Sequence, residues 1–259
     1  LGLDERVELF SAPIDGSGPV LNLDDASGSL VLTPDGSRAL YAKAGPLSRL
    51  QLWSVPTDGS SPPRRLDGPT VFLGGVLTRA AGAAPSFLVT PDGQHVLYLA
   101  DQLVNDVVEI FCAPVDGHAP SVRVSGALTA GGDVAAELYL TRPFELTPDG
   151  SQVVYLADQD ADDVLELFRS PALGGGPSVR VSDALVAGGD VGGTPGGSPL
   201  SHYFRLTPDG ERVVYLADAL VDGRTDLFSV RLDGVGGALQ LSPIVAPTAE
   251  VQEFALAPS

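Results

Sequence analysis

Carboxylates that recur in one kind of loop are the side chains of this chain best suited to chemistry. The densest run is the acidic stretch 158–163, in which Asp158, Asp160 and Asp162 alternate with other residues. This spacing is similar to the start of a Ca²⁺-binding loop, and Ca²⁺ takes about six to eight oxygen ligands. The stretch lacks the later glycine and the bidentate glutamate that complete such a loop. The sequence therefore favours a solvated acidic rim that aids solubility, with no cofactor. The alternative is Ca²⁺, held by these three aspartates.

Nucleophilic catalysis has no specific support in the residue pattern. We expect His95 and His118 on the surface and His202 near the acidic loops, and a lone histidine titrates near neutral pH without being catalytic. No spacing ties a serine, a histidine and an aspartate into a triad. Cys112 is the only cysteine, which excludes a disulfide framework and a thiolate metal cluster within the chain. We therefore expect no catalytic residue.

The charge balance narrows the range of partners. Acidic residues outnumber basic ones 33 to 15, and the formal net charge is −18. Such a chain is repelled by nucleic-acid phosphates and by anionic membranes. No apolar run approaches the ~18 residues that a membrane span requires. We expect neither a nucleic-acid partner nor membrane insertion. The absence of methionine predicts that the natural product is longer.

A five-residue phrase that occurs four times indicates which elements position the acidic loops. Its threonines lie 57, 57 and 60 residues apart, and a period of this length predicts a repeat architecture. In each copy a proline presets the dihedral of a tight turn, and a glycine accepts positive φ at its end. The copies are Leu32–Gly36, Val89–Gly93, Leu146–Gly150 and Leu206–Gly210.

The third copy illustrates the predicted structure of one repeat. Strand A at 142–146 leads through the turn to strand B at 153–157, which is rich in β-branched and aromatic residues. The acidic loop follows, then strand C at 164–170 and strand D at 178–182. Four antiparallel strands joined by short turns are typical of a β-propeller blade. Strand B then carries an equivalent tyrosine in each full repeat: Tyr41, Tyr98, Tyr155 and Tyr215. Strand C carries an equivalent aromatic residue in five copies: Phe10, Trp53, Phe111, Phe168 and Phe228.

These residues resemble the WD40-like repeat of the TolB type, also called PD40, whose hallmark is a Ser/Thr-Pro-Asp-Gly turn followed by an apolar strand with Tyr or Phe. The resemblance covers nearly the whole chain and implies an all-β propeller. Similar propellers occur in exported bacterial proteins as partner-binding modules and as appendages of prolyl peptidases. The resemblance therefore implies a periplasmic, secreted or cell-surface location. The chain contains no Gly-x-Ser-x-Gly pentapeptide of a hydrolase.

Counting the strands predicts a single domain, residues 1–259, with five blades of four antiparallel strands. The full blades are expected at 27–68, 84–126, 141–183 and 201–243. The closing blade is composite, built from both termini: residues 1–26 supply strands C and D, and residues 250–259 supply strand A. No segment aligns with its strand B. Either the blade has three strands, or another chain fills this slot by β-augmentation, which allows self-association, or the sequence is part of a longer array.

The repeat also assigns loops to two faces. The B–C and D–A loops share one face, where the D–A loops carry the phrase Ala-Gly-Gly-Asp-Val at 130–134 and again at 187–191. The aspartates of the other face lie in Asp-Gly turns, where we expect them to satisfy backbone donors. Apolar residues of two D–A loops form either an exposed contact patch or a cover for the blade ends: Val71, Phe72, Leu73, Val76, Leu77, Leu138, Tyr139 and Leu140.

The sequence thus favours a non-catalytic protein-binding or scaffold propeller of an exported bacterial protein, including a subunit of a surface or extracellular assembly. A protein is the expected partner. The alternative is a glycosidase-like hydrolase with a carboxylate-lined axial funnel. Glu145 is the only acid at its position in the innermost strands, and Arg205 holds that position in the next repeat. We expect these two residues to form an ion pair rather than to catalyse.

Overall fold

Short β-strands account for nearly all the regular structure. The computed structural model describes residues 7–26, 29–77, 87–134, 143–192, 203–242 and 250–257. The chain divides into two units, Leu1–Arg123 and Val124–Ser259. The strands of unit 1 are β1 (Val7–Ser11), β2 (Leu21–Ala26), β3 (Leu30–Leu32), β4 (Arg38–Ala44), β5 (Leu50–Pro56), β6 (Arg64–Arg65), β7 (Phe87–Val89), β8 (His95–Ala100), β9 (Glu109–Pro114) and β10 (Val122–Arg123). The strands of unit 2 are β11 (Phe144–Leu146), β12 (Gln152–Ala157), β13 (Glu166–Pro171), β14 (Val179–Arg180), β15 (Phe204–Leu206), β16 (Arg212–Ala217), β17 (Asp226–Arg231) and β18 (Leu239–Gln240).

Each full repeat forms one four-stranded antiparallel sheet, paired in chain order. We call these sheets blade 1 (β3–β6), blade 2 (β7–β10), blade 3 (β11–β14) and blade 4 (β15–β18). Strands β1 and β2 form a fifth, two-stranded sheet at the place predicted for strands C and D. The fold is therefore all-β and of the β-propeller type, as the repeat predicted. Among the described residues, no helix is long and apolar enough to cross a membrane.

The segment 250–257 differs from the expected closing strand. It belongs to no strand, and its described backbone contact is Val251 N–H donating to the Thr225 carbonyl at 2.8 Å. A strand needs a neighbour along its length, and the repeat predicts no strand B to pair with it. The composite blade and the single-domain boundaries stay predictions.

The repeated threonine fixes the turn between strands A and B. The Thr33 hydroxyl donates to Asp35 Oδ1 at 2.7 Å and accepts the Arg38 N–H at 3.0 Å. Gly36 closes the turn at φ 69°, a conformation that favours glycine. The same contacts recur around Thr90, Thr147 and Thr207. The turn aspartates are thus local backbone and hydroxyl acceptors, as the sequence indicated, and the Thr33 hydroxyl holds the pKa of Asp35 at about 2.

Paired aromatic rings fill the interior of the blades. The tyrosine of strand B lies opposite the aromatic residue of strand C in all four blades, and all four tyrosines are fully buried. In blade 3 the Tyr155 and Phe168 ring centroids are 5.8 Å apart with an interplanar angle of 27°. Such cross-strand pairs contribute about 0.5–1.5 kcal/mol beyond the burial of their area.

The tyrosine hydroxyls reveal a difference between the two blades of unit 2. Tyr155 Oη donates to Gln159 Oε1 at 2.7 Å, lies 2.6 Å from Ser178 Oγ and accepts the Gly126 N–H. Blade 4 has Ala219 and Ala238 in place of the glutamine and serine. The buried Tyr215 hydroxyl consequently lacks both side-chain partners, and the Asp183 backbone N–H is the polar group that faces it. Burial raises the pKa of Tyr215 to about 12.

Removing each hydroxyl is predicted to have different effects. Tyr155→Phe leaves buried donors and acceptors unpaired and lowers the free energy of unfolding by about 1–3 kcal/mol. Tyr215→Phe removes a hydroxyl that has no side-chain partner, so its loss of stability should be smaller than that of Tyr155→Phe or absent. Urea unfolding of both variants, followed by circular dichroism, measures the difference. Equal losses in the two variants would contradict the assigned network.

Candidate functional site

One aspartate at the end of strand B ties together the two loops of the predicted acidic face. It follows the last alanine of the strand in blades 2, 3 and 4, as Asp101, Asp158 and Asp218. One carboxylate oxygen accepts a backbone N–H from the preceding D–A loop, and the other accepts an N–H five residues further along its own B–C loop. The donors are Gly75 and Asp106 for Asp101, Asp133 and Asp163 for Asp158, and Asp190 and Gly223 for Asp218.

A glycine lets the two loops approach closely beside this aspartate. A Cβ on Gly74, Gly132 or Gly189 would lie 2.4, 2.5 or 2.6 Å from the carbonyl oxygen of Asp101, Asp158 or Asp218. The segment 73–76 is therefore a third copy of the Gly-Gly-Asp-Val phrase, which sequence reasoning missed because it reads Leu-Gly-Gly-Val. The signal available in the sequence was the similar number of residues that separates this glycine from the aspartate in each copy.

The first position of this phrase requires a left-handed backbone. Gly131 and Gly188 have φ of 92° and 85°, and Leu73 adopts φ 69° at the same place. The Asp162 carboxylate lies over Gly131, where a Cβ would meet its Oδ1 at 2.6 Å. Only the copy at 73–76 places a large apolar side chain, that of Leu73, at this point.

The three aspartates predicted to bind Ca²⁺ have different environments. Asp158 is half-buried, and both of its oxygens accept backbone N–H groups. Asp160 and Asp162 are exposed. Within the described ranges, no three acidic, histidine or cysteine side chains are placed to hold a metal ion together. Ca²⁺ binding by this loop stays a prediction.

Other residues singled out by the sequence are accounted for in local contacts. Glu145 and Arg205 form the expected ion pair, with Oε1 and Nη1 3.2 Å apart, and Glu145 Oε2 also accepts the Leu206 N–H at 3.0 Å. His118 is exposed beside Asp116, and His95 is half-buried rather than on the surface. His202 lies outside the described residues.

Exposed apolar side chains occur in three neighbouring loops of unit 1. Phe72 is 79% exposed, and Val76, from the same predicted patch, is buried. The 3-10 turn Pro46–Ser48 adds Leu47, and the B–C loop of blade 2 adds Leu103 and Val104, none of which the sequence singled out. We call Leu47, Phe72, Leu73, Leu103 and Val104 the loop patch. The residues Leu138, Tyr139 and Leu140 lie outside the described ranges.

Backbone hydrogen bonds hold the three loops of the loop patch together. The Val71 N–H donates to the Gln102 carbonyl at 3.1 Å, and the Val76 N–H donates to the Leu50 carbonyl at 2.8 Å. Asp101 adds its clamp to the Gly75 N–H at 2.7 Å. The exposed side chains therefore project from loops fixed to the sheets.

Solved structures similar to this chain include proteins of the TolB type. No protein-family model matches the sequence, and no curated protein matches it. Among solved structures, a putative TolB from Agrobacterium tumefaciens is 16% identical over 91% of this chain and 81% of its own, with a TM-score of 0.47. TolB from Acinetobacter baumannii is 16% identical over 91% of this chain and 49% of its own, with a TM-score of 0.43. An oligogalacturonate lyase in complex with manganese is 16% identical over 83% of this chain and 52% of its own, with a TM-score of 0.49. The chain thus spans about half the length of the latter two. The structural neighbours include the TolB type that the turn phrase resembles, and the likeness concerns the fold alone.

A half-buried carboxyl in the copy of the loop phrase at 187–191 is predicted to make stability depend on pH. Burial raises the pKa of Asp190, and the Asp218, Asp163 and Asp222 carboxylates raise it further, while the Leu165 N–H, which donates to Oδ1 at 2.7 Å, opposes them. A folded-state pKa above the unfolded value of 3.8 means that ionisation disfavours the folded state as pH rises. Asp190→Asn keeps the acceptor and is expected to raise the melting temperature at pH 7. The gain should vanish as pH falls below about 4.

The turn aspartate Asp149 provides a control with the opposite sign. Hydrogen bonds from Thr147 and Ser151 lower its pKa, so its stabilisation is present above 3.8 and is lost as pH falls through the lowered value. Asp149→Asn should therefore lower the melting temperature at pH 7. Thermal melts of both variants between pH 3 and 8 check the pair. A shift of the same sign in both would refute the assignment.

Proposed function

We propose that this protein is a non-catalytic scaffold module of an exported bacterial protein, and that it binds another protein through the loop patch. The observation that carries the proposal is the conformation of two exposed leucines. Leu47 and Leu73 have φ of 57° and 69°, and their side chains are 66% and 37% exposed. A left-handed backbone costs a residue of this type about 1–2 kcal/mol.

The repeat supplies residues that would avoid this cost. Glycine occupies the Leu73 position in the two other copies of the phrase, and alanine occupies the Phe72 position. Asp160 and Ala161 stand in blade 3 where blade 2 has Leu103 and Val104, whereas blade 4 carries the exposed Leu220 and Val221 there, so Leu47, Phe72 and Leu73 are what set the loop patch apart. Unfavourable backbone conformations concentrate at functional sites, and exposed apolar clusters mark contact surfaces. Burying one such side chain in a complex contributes about 1.5–3 kcal/mol.

The enzymatic alternative lacks an observation of this kind. A glycosidase needs two carboxyl groups about 5–10 Å apart, one of them available as an acid. Glu145, the acid expected on the innermost strands, is paired with Arg205 and accepts a backbone N–H. Its oxygens serve as structural acceptors.

Opposite effects on stability and binding are the expected signature of the loop patch. Leu47→Gly relieves the left-handed strain and is expected to leave the free energy of unfolding unchanged or up to about 1 kcal/mol higher, while weakening partner binding. Phe72→Ser should change stability by less than about 0.5 kcal/mol and also weaken binding. Gly131→Leu, at the position that matches Leu73, should lower stability and leave binding intact. Chemical unfolding and co-purification of the partner give the two readouts.

Photo-cross-linking identifies that partner directly. A benzophenone amino acid at position 72 should yield a discrete adduct in the source cells, and the same group at the equivalent position 130 should not. Fractionation before irradiation should place the adduct in the periplasmic, secreted or cell-surface fraction. Identical labelling at both positions would overturn the loop patch as a binding surface.

A second binding mode is favoured by the edge of β1. Strand β1 pairs only with β2 within the described residues, whereas β5, β9, β13 and β17 pair on both edges. Its Val7 and Phe10 side chains are 60% and 52% exposed. We propose that this edge accepts a strand from a second copy of the chain, by β-augmentation.

Self-association through β1 has a simple test. Light scattering should show a mass that rises with protein concentration. Phe10→Glu should abolish that rise, because a charge would enter the new ladder, and Phe72→Glu should not. A monomer at all concentrations, or equal effects of the two variants, would rule out this mode.

A further inference from the structure

The contact between blades 1 and 2 shows how this repeat holds a guanidinium group. Arg38 opens strand β4, and its Nε donates to Ser54 Oγ at 2.8 Å and to the Val115 carbonyl of the next blade at 3.0 Å. Burial lowers the pKa of Arg38, and the nearby Asp116 carboxylate opposes that effect. The side chain therefore bridges two blades beside a turn aspartate.

The equivalent place between blades 3 and 4 is an open cleft of about 480 Å³. Gln152 opens strand β12 where Arg38 opens β4, and Leu232 and Asp233 replace Val115 and Asp116. The Gln152 amide oxygen accepts from Arg169 Nη1 at 2.9 Å. Within the described part of unit 2, no hydrogen bond joins Gln152 to Leu232. Gln152 therefore does not bridge blades 3 and 4 in the way that Arg38 bridges blades 1 and 2.

The charges around the cleft favour a cation. Asp149, Asp209 and Asp233 line it together with Arg169, and Arg231 forms an ion pair with Asp233 at 2.7 Å, so three carboxylates face two guanidinium groups. Hydrogen bonds lower the pKa of all three carboxyls, from Thr147 to Asp149, from Thr207 to Asp209 and from Arg231 to Asp233. All three are ionised at neutral pH. Pro148 and the Leu232 side chain add apolar lining for the methylene stem of an incoming side chain.

We propose that this cleft binds the guanidinium group of an arginine in a partner polypeptide, in the place that Arg38 occupies between blades 1 and 2. The Leu232 carbonyl then accepts a hydrogen bond, as the Val115 carbonyl does from Arg38, and the carboxylates of Asp149 and Asp209 supply the countercharge. The planar donor fork of a guanidinium suits a carbonyl flanked by carboxylates better than an ammonium does. This site is independent of the loop patch, which lies in unit 1.

The test uses short peptides as probes of the full chain. Acetyl-Gly-Arg-Gly-amide is titrated into ¹⁵N-labelled protein, with the citrulline peptide as an uncharged match and the lysine peptide as a point-charge match. The arginine peptide should shift the amide signals of Gly150, Gly210 and Asp233 in a saturable way. The citrulline peptide should bind roughly tenfold more weakly or not at all, because a hydrogen bond with a charged partner is the stronger one. Added salt should weaken the arginine peptide.

Two variants make the proposal specific to the cleft. Gln152→Arg supplies an internal guanidinium, as Arg38 does, and should abolish the shifts. Arg38→Gln vacates the matching position in unit 1 and should add a second set of saturable shifts around Gly93. Circular dichroism establishes that each variant is folded, and if Arg38→Gln is not, Gln152→Arg decides alone. Equal affinity for arginine and citrulline, or binding to Gln152→Arg as tight as to the parent, would overturn the proposal.

Discussion

A single carboxylate at the end of strand B sets the arrangement of the loops in blades 2, 3 and 4. Asp101, Asp158 and Asp218 each accept one backbone N–H from the D–A loop and one from the B–C loop. The two loops would otherwise leave these donors unpaired near the protein interior, which is costly. The close approach also explains the neighbouring glycine, because a Cβ there would touch the aspartate carbonyl. Any side chain carried by these loops is consequently held at a defined place.

The repeat makes each blade a control for the others. Where all copies agree, as in the threonine of the turn and the buried tyrosine of strand B, the residue can be explained by local hydrogen bonding or packing. Where one copy departs, the departure has a physical cost or leaves space. Leu73 takes a backbone conformation that its equivalents assign to glycine, and Gln152 leaves open a cleft whose counterpart holds Arg38. The proposed contact surfaces lie at these departures.

The acidity of the chain has a largely structural meaning in the described residues. Many of the aspartates act as acceptors for nearby backbone N–H groups or hydroxyls, as Asp35 does in its turn and Asp158 does between its loops. A carboxylate is the strongest acceptor available for such donors, since the hydrogen bond gains from its charge. The acidic phrases that suggested metal binding at first are thus also the phrases that define turns and clamp loops.

The sequence by itself determined the blade, because both of its main signals are local. The Thr-Pro-Asp-Gly turn depends on contacts within about five residues, and the continuous apolar run of strand B reflects burial on both faces. It also predicted the pair of Glu145 and Arg205, since equivalent positions in successive repeats lie side by side. Tertiary structure alone decided which loop residues are exposed. Val76 and Phe72 are both apolar and only four residues apart, but Val76 bridges to Ala100 and is buried, whereas Phe72 is not. It likewise decided that Leu47, distant in sequence, joins the loops of Phe72 and Leu103, because that neighbourhood is created by hydrogen bonds between loops rather than by any periodicity along the chain.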